Sequence, residues 1–315
     1  MNKNFTRRQF VTTAAIGAAS AATHLPAQDA GSLPLIDIHQ HPGFKGRNDA
    51  RVFAHQRAMG AKVSFILPAG IPADLPSTDG GKRNGLAAGC APVEAAFELV
   101  QKHPKALRFF ANEPPDHPDA KKRLEKYLKL GAIGIGEQKF KLPIDSKPML
   151  QMYDIAKEFD VPVLMHFQHD TYNLGIERFH KILDRYPSVN FIGHAQTFWG
   201  NIDLKHEQKS MYPKGKVTPG GITDRLLADH QNMYGDHSAG SGLNALMRDE
   251  EHGIGFLERH QDKLMFGSDC YDVLGRGPSC RGAVLKKGLA RLASSQKILR
   301  KILFENASRL FQLNA

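Results

Sequence analysis

Six side chains of the kind that bind metal ions, His39, His41, Glu137, His166, His194 and Asp269, recur along this 315-residue chain at nearly regular intervals. Each closes a short apolar run, as Leu35-Ile36-Asp37-Ile38 does before His39, and polar or glycine-rich residues follow. Each therefore falls where a strand gives way to a loop. From Glu137 to His166 is 29 residues and from His166 to His194 is 28, about one strand-plus-helix unit each. From His41 to Glu137 is 96, about three units, and from His194 to Asp269 is 75, about two units with an insertion. In a (β/α)8 barrel the C-terminal strand ends converge on one mouth, so six dispersed residues meet at a point. The spacing thus argues for an α/β chain closed into a (β/α)8 TIM barrel of metal-dependent type. A doubly wound sheet would need its ligands at one switch point, which six positions on five strands do not satisfy.

Eight strands are expected at 34–38, 62–67, 107–111, 132–137, 161–166, 189–194, 232–236 and 263–268, most of them short, β-branched or aromatic, and bounded by Gly, Pro or Asp. Helical spacing is clear over 92–102, 119–130, 148–159 and 175–186. Two segments exceed a simple connection: 197–229 after the sixth strand and 238–251 after the seventh. Long loops at that face are where barrels keep their specificity.

The N-terminus bounds where such a chain works. Thr6-Arg7-Arg8-Gln9-Phe10 resembles the twin-arginine box, a weakly apolar run covers 11–22, and small residues near Ala27 suit a signal peptidase. Residues 1–30 are expected to be an export signal read by the twin-arginine machinery, and 31–315 a single barrel domain in the periplasm or outside the cell. The apolar run is about a dozen residues, against the roughly 20 that a membrane span needs, and no other segment is long and apolar enough. Cleavage after Ala27 leaves 288 residues, ordinary for one barrel, and removing Lys3, Arg7 and Arg8 takes the formal charge from +10 to +7. The remaining Lys and Arg residues are scattered along helix faces and read as solvated surface, so a small-molecule substrate is expected rather than nucleic acid. Composition leaves a homo-oligomer open.

An odd count of three cysteines, Cys90, Cys270 and Cys280, leaves at least one thiol unpaired. Cys270 and Cys280 bracket a short loop after the last strand and read equally as a disulfide or as two free thiols. A thiolate pair on a metal is the rival, but nothing else in the chain offers a Cys/His cluster of structural-zinc type.

His39-Gln40-His41 puts two imidazoles on one side of an extended backbone, where they can chelate a metal together. Alone such a pair is a weak signal. With the strand before it, however, Leu-Ile-Asp-Ile-His-Gln-His resembles the amidohydrolase superfamily, and within it the amidohydrolase-related branch of lactonases and metal-dependent decarboxylases. Ile192-Gly193-His194-Ala195, Phe266-Gly267-Ser268-Asp269 and the closing stretch 301–311 are similar to its sixth-strand, eighth-strand and C-terminal motifs. The resemblance implies His39, His41 and Asp269 around one metal, with His166 and His194 on a second metal or on substrate. The fourth strand reads Ile135-Gly136-Glu137-Gln138-Lys139, with Glu137 and Lys139 of the same parity. Ile-Gly-Glu resembles the TatD-like deoxyribonucleases, whose glutamate bridges two metals. Phosphotriesterase-like and urease-like members instead carboxylate a lysine on this strand. In many amidohydrolase-related enzymes neither is a ligand; here Glu137 is favoured, which makes Lys139 either a cation for a substrate carboxylate or phosphate, or an exposed loop lysine.

One or two divalent ions are expected, zinc first, with manganese, iron and nickel all suited to such ligands. Asp269 would hold the attacking water and pass its proton to the leaving group, while His194 or Lys139 steadies the oxyanion. His169 either reaches the mouth or sits on the loop, and Trp199 either walls the pocket or packs in the interior. His237 lies in the polar end of the seventh strand, and Arg276 is a candidate anion binder. Gly240-Ser241-Gly242 reads as a flexible turn, because the strand–GxxxxGK[ST] context of a phosphate loop is missing. The expectation is an exported hydrolase acting on a small ester, lactone, amide or phosphoester, with decarboxylation of an aromatic or muconate-type acid as the alternative. A non-catalytic binding barrel is disfavoured by the intact ligand set, and a nuclease would need a basic groove at the mouth.

Overall fold

The structure is a computed structural model and describes residues 27–70, 77–87, 89–272 and 274–313. The export signal and its twin-arginine box fall almost wholly outside these residues. All eight expected strands are present: β1 (Leu35–Gln40), β2 (Ala61–Ile66), β3 (Leu107–Phe109), β4 (Ile135–Gln138), β5 (Val163–His166), β6 (Phe191–His194), β7 (Met233–Asp236) and β8 (Leu264–Met265). The helices between them are α1 (Asp49–Met59), α2 (Val93–Lys102), α3 (Ala120–Lys129), α4 (Lys147–Glu158), α5 (Phe179–Arg185), α6 (Ala195–Gly200), α7 (Ile222–Asp229), α8 (Ala239–Met247), α9 (Glu250–Arg259), α10 (Arg281–Leu292), α11 (Gln296–Arg300) and α12 (Asn306–Leu310). Every strand pair is parallel, with β1-β2-β3 in one run and β4-β5-β6-β7-β8 in the other. The two runs close into a barrel at both seams. Ala111 bridges Ile135 in parallel, and Ile38 N–H donates to Phe266 O at 3.2 Å.

Ile36, Ile38, Phe65, Leu67, Phe110, Leu164, Ile192 and Met265 form one buried cluster drawn from strands around the barrel, which fills its lumen. Ala307 and Phe311 join it, with Val63 and Ile133 at the strand starts, so α12 closes the end opposite the strand C-termini. A larger cluster packs the helices on the barrel's outside. No helix among the described residues is long and apolar enough to cross a membrane.

Two expectations for the connections are corrected. Residues 238–251 are mostly helix α8, and Gly240-Ser241-Gly242 lies inside it instead of forming a turn. Glycine is needed there: a Cβ on Gly242 would lie 2.0 Å from His237 O, so α8 can settle on β7 only without a side chain at that position. The second is 197–229, which begins in α6 and ends in α7. Its irregular middle is tied to its own chain: Asn244 Nδ2 donates to Pro213 O at 3.0 Å and Asp249 Oδ2 accepts from Val217 N–H at 2.9 Å.

Candidate metal centre

β1, β4, β5 and β6 each deliver a site residue at their C-terminal end, and Asp269 follows β8. Simple alternation would not aim all of them inward. Leu164 and Ile192 are lumen residues, so His166 and His194, two further on, point the same way. In β1, however, Ile36 and Ile38 are the lumen residues. Register breaks between Asp37 and Gln40 and between Ile135 and Gln138 swing His39, His41 and Glu137 to the mouth. Gly136 permits the second break, since a Cβ there would lie 2.8 Å from Leu164 O at φ +148.

The six residues converge. His39 Nε2 and His41 Nε2 are 3.2 Å apart, and Glu137 Oε2 is 3.4 Å from each. The other carboxylate oxygen, Oε1, touches His166 Nδ1 and lies 3.8 Å from His194 Nε2. Asp269 Oδ1 is 3.3 Å from His41 Nε2, and its Oδ2 is 4.0 Å from His194 Nε2. His39-His41-Glu137, Glu137-His166-His194 and His39-His194-Asp269 each bring three donor atoms within 4.8 Å of one another. Asp269 has 19% of its side chain accessible against 0–5% for the other five, so it faces the opening.

Hydrogen bonds behind the imidazoles set which nitrogen looks into the centre. His39 Nδ1–H donates to Asp236 Oδ2 at 2.6 Å and His41 Nδ1–H to Leu67 O at 2.7 Å. His194 Nδ1–H donates at 3.0 Å to Ser238 Oγ, whose own hydroxyl donates to Asp236 Oδ2 at 2.9 Å. With those protons placed, lone pairs on the three Nε2 atoms face the oxygens of Glu137 and Asp269. Asp269 Oδ1 is buried with no hydrogen-bond partner. Facing lone pairs are relieved only by a cation or by added protons, and the mixed nitrogen and oxygen set suits a divalent metal. Without one, burial alone would lower the His39 imidazole, yet the Asp236 and Asp269 carboxylates raise it to about 10. Burial would likewise raise Glu137, but His166 and Lys139 hold it well below the usual carboxylate range. Burial, with Lys139 close by, pushes His166 down to about 4, which leaves that ring neutral and able to ligate.

The remaining sequence candidates separate. Lys139 is half-buried at the mouth with Nζ 5.7 Å from the Tyr172 ring centroid, and its ammonium forms no ion pair among the described residues. Burial works against its charge, but Glu137 and Asp269 outweigh this and raise its pKa. His169 stands on the rim, its N–H held by Thr197 Oγ1 at 2.7 Å, beside a cleft of about 460 Å³ that Gln168, Asn173 and Gln208 also line. Gln168 Oε1 meets His166 Nε2 at 3.2 Å, which sets this cleft next to the centre. Trp199 and His237 do not wall it. They are buried to 1% and 0% and stack on each other at 4.1 Å, and Trp199 Nε1–H donates to Asp236 O at 2.8 Å. Trp199 packs against β7 from the helix side of the barrel wall. Arg276 is exposed in the loop after β8, and its side chain makes no hydrogen bond or ion pair among the described residues.

Sequence reasoning missed Asp236, Ser238 and the network beneath the His39-Gln40-His41 turn. Asp37 Oδ1 accepts from Ser268 N–H at 2.8 Å, Gln40 Nε2 donates to Asp37 Oδ2 at 3.0 Å, and Arg47 joins Gln40 to Cys270 O at 2.6 Å. One signal was available: Asp236 closes the seventh strand as the ligands close theirs.

A family profile described as Amidohydrolase matches residues 36–313. The chain belongs to that family. Among solved structures this amidohydrolase is similar to an uncharacterized TIM-barrel protein from Bordetella bronchiseptica, with TM-score 0.62, 14% identity, 89% of this chain and 99% of that one covered. It is also similar to a probable 2-pyrone-4,6-dicarboxylic acid hydrolase from Acinetobacter baumannii, with TM-score 0.58, 12% identity, and 89% and 99% covered. A manganese-bound 5-carboxyvanillate decarboxylase from Novosphingobium aromaticivorans follows at TM-score 0.54, 16% identity, and 84% and 80% covered. At these identities the likeness establishes the barrel. No curated protein sequence matches the chain.

Proposed function

We propose that this amidohydrolase is a hydrolase acting on a small ester, lactone, amide or phosphoester that carries an anionic group, in which His39, His41, Glu137, His166, His194 and Asp269 would hold one or two divalent ions. One observation carries the reading: the two oxygens of Glu137 face different histidine pairs, Oε2 toward His39 and His41, Oε1 toward His166 and His194. Divalent ions, with zinc or manganese both suited to these donors, would supply Lewis acidity and bring the pKa of a bound water down to about 7. Asp269, the more accessible of the two carboxylates, accepts the water's proton on its unpartnered Oδ1 and returns it to the leaving group. The Lys139 ammonium, charged and without an ion-pair partner among the described residues, binds the substrate's anion. His169 and Gln168 border the cleft that would receive the rest of the substrate.

Decarboxylation is the second reading. The solved neighbours include a 5-carboxyvanillate decarboxylase, and both it and the dicarboxylic acid hydrolase are named for substrates that bear carboxylates, which Lys139 would suit equally. Metal content of the purified protein and of Glu137→Ala separates the two. A loss of one or two equivalents in the variant, with turnover of esters or lactones by the parent chain, supports the hydrolytic centre. Unchanged content overturns it and puts release of carbon dioxide from aromatic acids first. Export by the twin-arginine route belongs to the same proposal, and a mature chain beginning at Gln28 in the periplasmic fraction would support it.

A further inference from the structure

His55 on α1, Cys270 directly after Asp269, and Cys280 at the start of α10 form a second cluster of metal-binding side chains, buried to 1%, 2% and 0%. Sequence reading found no histidine to accompany the cysteines because His55 stands 225 residues from Cys280. The barrel brings its Nε2 to 3.3 Å from Cys280 Sγ, and the two sulfurs lie 3.4 Å apart. All three donor atoms fall within 4.8 Å of one another. Both cysteines are free thiols, which answers the disulfide expectation for this structure.

We propose that His55, Cys270 and Cys280 bind a soft d10 metal ion, divalent zinc or monovalent copper, at a site separate from the histidine–carboxylate centre. The sulfur separation far exceeds the roughly 2.05 Å of a disulfide. It is close to the edge of about 3.6–3.8 Å expected between ligands on a tetrahedral ion with bonds near 2.3 Å. One feature favours a thiolate at Cys280: it caps α10, with its Sγ accepting from Ala283 N–H at 3.4 Å where the helix dipole is positive. Binding displaces two thiol protons to solvent, and His55 donates through neutral Nε2. Thiolate and imidazole select such ions over the harder ones that carboxylates hold. An ion here would join α1, the residue after Asp269 and the first turn of α10 at one point.

The test is reconstitution of the reduced, metal-free full-length chain with Co2+. The expected result is a near-ultraviolet sulfur-to-cobalt charge-transfer band that Zn2+ or Cu+ abolishes by displacement. That band should persist in Glu137→Ala and vanish in Cys280→Ser, with one equivalent less metal bound. Persistence in Glu137→Ala together with loss in Cys280→Ser separates this site from the proposed hydrolytic centre, where the Cys90 thiol lies beside His41. Absence of a sulfur band in the reduced parent chain overturns the proposal and needs no variant to fold. A band surviving in Cys280→Ser overturns it too. If the chain is isolated with a Cys270–Cys280 disulfide and gives no band once reduced, the pair is a disulfide and the metal site is refuted.

Discussion

At the scale of single residues, the centre depends on groups that would not touch a metal themselves. Asp236 receives the His39 proton at 2.6 Å and the Ser238 hydroxyl at 2.9 Å, so it determines how two imidazoles present their lone pairs. Asp236→Asn is expected to weaken metal retention by roughly 10- to 100-fold, the usual effect of removing such a partner. Competition with a chromophoric chelator measures this, and unchanged affinity would refute the orienting role. Lys139 makes a different kind of contribution. Its charge has no partner within the described residues, so Lys139→Met should raise KM for an anionic substrate by roughly 10- to 100-fold and leave an uncharged analogue almost unaffected. Equal losses on both substrates would show that Lys139 shapes the site instead of reading charge.

At the scale of elements, the strands bring their candidate ligands to the mouth only because two of them break register near their ends. Read by parity alone, Glu137 follows Ile135, which packs outside the barrel with the helices; the register break turns Glu137 inward. α8 shows how tightly the next layer is fitted. Gly242→Ala should cost about 1–3 kcal/mol in denaturant unfolding, because the contact is with backbone that has nowhere to move. A wild-type midpoint would mean that α8 is free to shift. α7 is fastened to α9 through Asp224, whose Oδ1 accepts from His260 Nε2 at 2.6 Å. Burial opposes the charge of this carboxylate, but His260, the Gly220 N–H and Arg259 hold its pKa down to about 2 from 3.8. A folded-state pKa below the unfolded one means the stabilisation is complete above 3.8 and is lost as pH falls toward about 2. Asp224→Asn should therefore cost about 1 kcal/mol at neutral pH, with the gap to the parent closing across that acid window. A gap independent of pH would assign the cost to packing.

For the whole molecule, the expected consequence is that metal and stability are linked. Four buried histidines and two carboxylates face each other at the open end of the barrel, and an ion that binds only the folded chain adds stability as its concentration rises. At 100 times the dissociation constant the gain is about 2.7 kcal/mol. Chelator should lower the melting temperature, added zinc or manganese should restore it, and Glu137→Ala should blunt the response. A melting temperature indifferent to metal would sink the linkage.

The barrel and the residues that converge at its mouth were legible in the sequence because both leave local traces. Strand and helix alternate in hydrophobic period, and a ligand at a strand end follows its apolar run directly, so His39, His41, Glu137, His166, His194 and Asp269 could be found without coordinates. The trace fails where a role depends on a partner far along the chain. Asp236 bonds His39 across 197 residues, and His237 beside it looked as suitable until its ring was seen stacked on Trp199 in the interior. Arg276 looked like an anion binder by charge alone, yet its loop leaves it in solvent. His55 meets Cys280 across 225 residues, with no spacing to announce it. Apolar patterning is a property of neighbouring residues, so the chain by itself determined that a barrel forms and which residue types reach its mouth. Closure of β8 onto β1 and the two register breaks are properties of strand pairing. They alone decided which nitrogens face inward, that the two oxygens of Glu137 face different histidine pairs, and that two thiols acquire a histidine.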